Sequence, residues 1–328
     1  MNVATDQQAA IDVLVTVYNG ERFIGQMIES VLDQAFSDWR LIIVDDLSTD
    51  QSEEIIQSYI DRDPRILLLK GEHQGVAAAA NIGLKAATAP LVARLDADDV
   101  CVPERLQVQH DFMQQHPDVL AVGSYVYLID ENNKRLRRRT APTEWATIEE
   151  TLKTRNCMCH PSSMIRTSAL QKIGGYRSKF RNSLDYDLWL RVSEIGKIEN
   201  IPQDLLLYRR HSSQISASNN AHRQTLYSVG AITDYFLRKY RPADSETLFN
   251  EESPDDIANK LVSLYESEVS SSDRHCLNRH AIRFLRRVNK LSKNSEKALR
   301  DTIRPHLTLH QRIKLWLYDR IQPTHSNA

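Results

Sequence analysis

"LVARLDADDVCVP" runs from Leu91 to Pro103. It opens as an apolar run of strand character and then places Asp96, Asp98 and Asp99 within four positions. Two carboxylates ~4 Å apart repel by about 1 kcal/mol in water and about 4 kcal/mol at the effective dielectric of a partly buried site. Three acids on one strand end therefore need solvent, a cap or a counter-charge. A helix N-cap at Asp99, shortly before "VPERL", accounts for one of them. A divalent cation, which prefers oxygen ligands and keeps positions open for phosphate oxygens, accounts for all three.

The sequence upstream shows what kind of strand this is. "IDVLVTV" (11–17), "RLIIVDD" (40–46) and "RILLL" (65–69) are apolar, largely β-branched runs, the pattern of strands covered on both faces. Helical spacing separates them. Phe23, Met27, Ile28, Val31 and Leu32 mark a first helix, Ile55, Ile56 and Tyr59 a second, and "GVAAAANIGLKAA" a third. Asp50 with Glu53 reads as a capping box for the second helix. Alternation of this kind predicts a largely parallel α/β sheet with helices on both faces. In such sheets ligands bind beyond the carboxyl ends of the strands. That rim receives Thr16, Val17, Tyr18 and Asn19, then Asp45 and Asp46, then Glu72 and His73, then Asp96, Ala97, Asp98 and Asp99. Asp45 or Asp46 could accept from a base-ring N–H or a ribose hydroxyl; Asx-turn chemistry with Ser48 is the plainer alternative. No G-x-G-x-x-G follows the first strand and no G-x-x-x-x-G-K-[ST] occurs, which argues against dinucleotide and P-loop sites.

The 328 residues suit one large domain with an extension, and 41% hydrophobic with 26% charged residues is ordinary for a soluble globular chain. No stretch reaches the ~18 apolar residues of a membrane span. The N-terminal run lacks a preceding basic region and reads as a strand, not a signal peptide. Cys101, Cys157, Cys159 and Cys276 offer no disulfide framework and read as reduced thiols of a cytosolic protein. The net charge of −1 hides an asymmetry: residues 274–320 carry thirteen Lys or Arg against three acids, leaving the remainder near −11. A basic tail on an acidic body predicts an anionic partner for the tail.

Beyond Pro103 come further ordered signatures: "HPSSMIR" (160–166), "GGY" (174–176), "DYDLWLR" (185–191) and "YRRHSSQIS" (208–216). With "VTVYNGERFIGQMIESVLDQAFSDWRLIIVDDLSTD" and "NIGLKAATAPLVARLDADD" upstream, the chain from Ile11 to about Ser216 resembles the inverting family 2 glycosyltransferases of the GT-A fold. The resemblance implies a mixed, mostly parallel sheet flanked by helices, and transfer of a sugar from a nucleotide-diphosphate donor to an acceptor hydroxyl. It implies that Thr16, Val17, Tyr18, Asn19, Asp45, Asp46, Asn81, Asp96, Ala97, Arg209 and His211 line the nucleotide-sugar pocket. Asp98, with Asp96 and His211, would hold magnesium or manganese. Asp185 would be the catalytic base, with Asp187 as its rival because Leu184 stands where the family usually has Glu. His73 replaces a usual Asn, and Ala80 stands where Arg is common. A non-catalytic sugar-nucleotide scaffold and a sugar-phosphate nucleotidyltransferase are the alternatives.

On this reading residues 1–220 form the catalytic domain, with a nucleotide-sugar half to about 100 and an acceptor half to 220. Residues 221–328 form a basic helical extension. There Leu277, Ala281, Phe284, Val288 and Leu291 recur at helical spacing among arginines, and Leu309, Ile313, Trp316 and Leu317 share one face of a second segment. A bundle face and an anionic membrane surface both fit; nucleic acid does not, for want of aromatic interleaving or a known module. The expected place is the cytoplasm, peripheral on the inner membrane face, acting on a glycan or lipid-linked acceptor.

Overall fold

The structure is a computed structural model that describes residues 9–212, 214, 221–245, 253–288, 291–313 and 315. The chain divides into two compact units, 1–152 with 156–218, and 153–155 with 219–328.

The first unit begins with strand β1 (Ile11–Val17), helix α1 (Ile24–Leu32), β2 (Trp39–Asp45), α2 (Ser52–Ile60), β3 (Ile66–Lys70), α3 (Val76–Ala86) and β4 (Leu91–Asp96). It continues with β5 (Val100–Cys101), α4 (Arg105–Gln115), β6 (Val119–Asp130), β7 (Arg135–Arg139), α5 (Trp145–Leu152), β8 (Met164–Arg166), α6 (Thr167–Lys172), α7 (Leu184–Ser193) and β9 (Lys197–Arg210). All strands join one sheet in the order β3-β2-β1-β4-β8-β6-β9-β5, with β7 added on β6. Strands β3, β2, β1 and β4 are parallel, which ends Val17, Asp45 and Asp96 on one rim. β8 runs antiparallel to β4 and β6, and β9 runs parallel along β6.

The apolar runs are buried as their composition requires. Val13, Val15, Leu41, Ile43, Ala93 and Leu95 face Met27, Ile28, Val31 and Ile56 within one core cluster. The one acid inside β1, Asp12, is fully paired: Arg40 reaches its carboxylate at 2.8 and 3.0 Å, and the Thr88 and Ala89 N–H groups at 2.7 and 2.8 Å. Helix α2 does not start on the expected capping box. Asp50 Oδ1 takes the Ser52 N–H at 3.0 Å and its hydroxyl at 2.5 Å, while Glu53 turns to pair with Lys70. The long Lys side chain at the end of β3 competes for Glu53 more strongly than a backbone N–H can.

The second unit is helical: α8 (Ala221–Tyr240), α9 (Pro242–Ser245), α10 (Pro254–Tyr265), α11 (Ser271–Arg287) and α12 (Lys293–Ile303). Ser253, Ser270 and Ser292 each cap the following helix with the side-chain oxygen. The apolar face of α11 is consumed here: Leu277, Ala281, Phe284 and Val288 are buried, and α11 packs on α8, α10 and α12. Its Arg279, Arg286 and Arg287 stay exposed. Trp316 and Leu317 of the second amphipathic segment lie outside the described residues; Leu309 and Ile313 are exposed.

Candidate active site

The loop after β4 gathers the three acids. Asp96, Asp98 and Asp99 can each turn one carboxylate oxygen to within 4.8 Å of the others. Their charge is met from below by arginines that the acids alone did not foretell. Arg94, fully buried inside β4, donates to the Leu14 and Leu95 carbonyls at 2.6 Å, to Thr16 Oγ1 at 2.9 Å, and pairs with Asp96 at 3.3 Å. Arg105, also buried, bonds the Arg94 carbonyl at 2.7 Å. Thr16 thus serves as an acceptor for Arg94 directly beside Asp96, its register partner.

Compensation is incomplete. Burial, offset in part by Arg94 and added to by the charges of Asp98 and Asp185, pushes Asp96 up to about 6. Burial, with the charges of Asp98 and Asp96, pushes Asp99 well above the carboxylate range. Asp99 Oδ1 accepts the Arg209 N–H at 2.8 Å, but its Oδ2 is buried with no hydrogen-bond partner. A buried carboxylate oxygen without a donor is costly, and a hard cation held by Asp99 with the neighbouring Asp96 and Asp98 carboxylates would relieve it. The donor set fits magnesium or manganese: carboxylate oxygens with an imidazole beside them. That imidazole is His211, whose Nε2 lies 2.8 Å from Asp98 Oδ2, its ring packed on Phe23. Gln214 approaches the same oxygen at 3.3 Å.

Arg209 is bonded throughout to protein groups. It is fully buried. Its guanidinium donates to the Asp98 carbonyl at 2.7 Å, the Asp130 carbonyl at 3.2 Å, Asn133 Oδ1 at 2.7 Å and Gln26 Oε1 at 2.8 Å, and lies over the Phe23 ring. It fixes the acid loop to the turn between β6 and β7. Asn81 is likewise committed: its amide clasps the Tyr176 backbone with two bonds of 2.8 Å. Arg209 is enclosed by protein acceptors, and Asn81, partly buried, spends one N–H and its carbonyl oxygen on the Tyr176 backbone.

Along the rim, Asp45 and Asp46 are both buried. Asp45 Oδ1 accepts the Ser48 N–H at 3.1 Å, a local bond spanning three residues, and Lys70 stands 3.6 Å from Oδ2. Asp46 Oδ2 accepts the Gly75 N–H at 2.9 Å, while its Oδ1 is buried without a partner among the described residues. Gly71 permits this, since a Cβ there would press into the Asp46 carboxylate. Tyr18, half exposed, and His73 bring their rings to 4.7 Å beside it. Val17 gives its carbonyl to the Asp46 N–H at 2.8 Å. Asn19 Oδ1 accepts from Thr49 at 2.8 Å, tying the first two rim loops together. Ala97 is partly buried and packs against the apolar core cluster.

Asp185 and Asp187 open α7, and their surroundings differ. Asp187 is fully buried and bonded by Arg177 and by Arg191, the latter at 2.9 and 2.7 Å. Asp185 is partly exposed. Its Oδ2 accepts from Asn156 at 2.7 Å and its Oδ1 from the Tyr186 N–H at 2.8 Å. Burial raises its pKa against those two hydrogen bonds. Asn156 carried no sequence signal, because its partner lies 29 residues away. His160 and Tyr176, bonded at 2.8 Å, sit close by: burial holds His160 well below its usual value and Tyr176 up to about 12, and the charges of Asp96 and Asp185 add to the latter.

A mixed, mostly parallel sheet flanked by helices, with an acid cluster past β4 and an acid at the head of α7, is the GT-A architecture of a glycosyl-transferring enzyme. The chain belongs to glycosyl transferase family 2, whose model matches residues 12–174. It is 32% identical to the O-antigen biosynthesis glycosyltransferase WbnJ of Escherichia coli over 236 residues, 70% of this chain and 88% of that protein. It is 30% identical to an uncharacterized glycosyltransferase of Methanocaldococcus jannaschii over 233 residues, 70% of this chain and 80% of that protein. Among solved structures, TarS of S. aureus with UDP-GlcNAc has TM-score 0.61 at 17% identity, over 96% of this chain and 93% of that one. The mannosyltransferase PcManGT of Pyrobaculum calidifontis, with GDP-Man and Mn2+, has TM-score 0.53 at 14% identity, over 96% and 85% of the two chains.

Proposed function

We propose that this chain is an inverting, divalent-cation-dependent glycosyltransferase that takes a sugar from a nucleotide-diphosphate donor during cell-surface polysaccharide or lipid-linked glycan assembly. One observation carries the reading: two rim carboxylates, Asp46 and Asp99, each keep a buried oxygen without a donor. Asp46 Oδ1 suits a nucleobase ring N–H, with the Tyr18 and His73 rings beside the base. Asp98, with Asp96, Asp99 and His211, would hold the cation, which when bound supplies charge stabilisation to the leaving diphosphate.

The chain's own residues account for the remainder. Asp185 takes the proton of the acceptor hydroxyl as it attacks the anomeric carbon. Asn156 and the Tyr186 N–H hold the carboxylate in one orientation. Asp187 is fully buried and bonded by two arginines, which leaves it no exposed face for an acceptor hydroxyl. Inversion in one displacement needs no protein nucleophile, and the cysteines offer none: all four are buried, and burial pushes Cys159 up to about 12. WbnJ is named for O-antigen biosynthesis, which supports a surface glycan as the product class.

The test is thermal stabilisation by UDP-GlcNAc and by GDP-Man, with and without manganese, in wild type and D98A. Manganese-dependent stabilisation that D98A removes is expected; stabilisation that ignores both metal and substitution refutes the metal assignment.

A second reading concerns placement. Leu309 and Ile313 are exposed one helical turn apart, beside the exposed Arg304 and Arg312. That pairing supports peripheral attachment to an anionic inner membrane face. Co-sedimentation with phosphatidylglycerol vesicles, lost in L309D/I313D, tests it.

A further inference from the structure

Strand β7 puts four arginines into five consecutive positions, and all five residues are exposed. Charged edge strands block edge-to-edge pairing, and two of the four arginines fit that role. Arg135 lies over the Tyr127 ring, and Arg138 lies over Tyr125 and pairs with Asp204 at 2.8 Å. Arg137 and Arg139 do neither. Register sets them opposite Leu128 and Val126, on the face of the strand away from Arg138. Among the described residues neither side chain has a hydrogen-bond or ion-pair partner.

The hairpin is fastened at both ends. At its turn, Arg209 holds Asp130 and Asn133 together with the Asp98 carbonyl. Past its far end, Asn200 bonds the Pro142 and Thr143 carbonyls at 2.7 and 3.0 Å and touches Met158 Sδ at 3.3 Å. Met158 lies two residues from Asn156, the donor to Asp185. β7 therefore leads from the acid cluster towards the carboxylate assigned as base. The Arg139 charge reaches Asp185 and Cys159, drawing both down against the burial that raises them.

An acceptor must bring its hydroxyl to the Asp185 carboxylate, whose charge and that of Asp98 both bear on Asp96. A neutral acceptor gains nothing from two unpaired guanidinium groups there. An anionic one would be repelled without them. Guanidinium matches phosphate oxygens in a two-pronged geometry that ammonium cannot copy, and two residues along a strand stand about 6.6 Å apart, a span that a phosphorylated sugar bridges.

We propose that Arg137 and Arg139 form an acceptor subsite for a phosphoryl group carried near the hydroxyl that receives the sugar. This rests on the glycosyltransferase reading above and on Asp185 as its base. The experiment is calorimetric binding of methyl α-glucoside 6-phosphate and of dodecyl-diphosphate-glucose in micelles, which separate a glycan-borne from a lipid-borne phosphate. Methyl α-glucoside and UDP with manganese serve as references. In R137A/R139A, affinity for at least one phosphorylated probe falls by about tenfold or more. Affinity for methyl α-glucoside and UDP is unchanged, and R135A/R138A behaves as wild type. Equal binding of both phosphorylated probes to wild type and R137A/R139A overturns the subsite. Loss of UDP binding in R137A/R139A also overturns it, by moving the arginines to the donor. If UDP binds none of the proteins, the glycosyltransferase reading fails on its own, separately from the arginine result.

Discussion

Both units bury carboxylates, and they treat them in opposite ways. In the helical unit Asp273 is almost completely buried. Burial would raise its pKa, but hydrogen bonds from Lys239 at 2.7 Å and Tyr240 at 2.5 Å, with the Lys239 and Lys153 charges, bring it below the usual value. In the sheet unit burial raises Asp96, Asp99 and Asp185, and the arginines beneath do not reverse it. A carboxylate that serves only the fold is supplied with donors until its charged form is favoured. One reserved for a ligand is left short, and the fold bears the cost. Donor supply also separates Asp187, held by Arg177 and Arg191, from Asp185, two residues away in the same helix.

The largest expected effect breaks that contrast at α7. D185N should lower kcat by about 10³-fold, within the range for removing a general base, with donor binding and circular dichroism unchanged. D187N should instead destabilise by about 3–5 kcal/mol, because it removes the carboxylate paired with the buried Arg191 and the partly buried Arg177. Urea unfolding and initial rates on the same preparations distinguish them. If D187N turns over slowly yet unfolds normally, the roles are exchanged.

The helical unit supplies the next effect. D273N should cost about 2–3 kcal/mol, discounted because Lys239 is 41% exposed. The sign with pH follows from the lowered folded-state pKa. Stability from Asp273 is present above the ordinary carboxylate range and is lost as pH falls through the lowered value. Acid unfolding of D273N should therefore be flatter than wild type below about pH 4, while UDP binding stays intact.

At the nucleotide end, G71A tests whether Asp46 is positioned by what is missing around it. A methyl group at residue 71 presses on the Asp46 carboxylate. UDP affinity should fall about tenfold, the worth of one charge-assisted hydrogen bond. An unchanged affinity would remove Asp46 from the pocket.

These contrasts were unequally legible in the sequence. The parallel half could be read from "IDVLVTV", "RLIIVDD" and "LVARLDADD", because doubly covered strands need continuous apolar runs and their ends sit on one rim. Asp185 and Asp187 could not be separated by spacing. What separates them is Arg177, ten residues upstream, and Asn156, 29 residues upstream, and only tertiary packing brings either to its partner. The bonds of Arg209 depend on tertiary packing in the same way. A charged pair before a histidine reads as a solvated turn or a phosphate clamp, yet β9 carries it inside, where Asp98, Asp130, Asn133 and Gln26 enclose it. Arg94 was the legible clue left unread: a lone cation within an apolar strand, two residues before the acids, is placed to offset them.

The smallest effect belongs to Asn156. Its amide stabilises the charged form of Asp185 and so opposes the burial that raises the pKa. Removing it should raise that pKa further. A base works only when deprotonated, so turnover climbs with pH through the Asp185 pKa and is lost below it. N156A should move this acidic limb upward and reduce kcat at alkaline pH by only a few fold, since the Tyr186 N–H still orients the carboxylate. A downward shift would mean that Asn156 favours the protonated acid, and the base would then be better sought among groups with no amide partner. A uniform loss at every pH would make Asn156 a packing residue alone. The upward shift with near-normal plateau turnover is the outcome that ties the raised pKa of Asp185 to its chemistry.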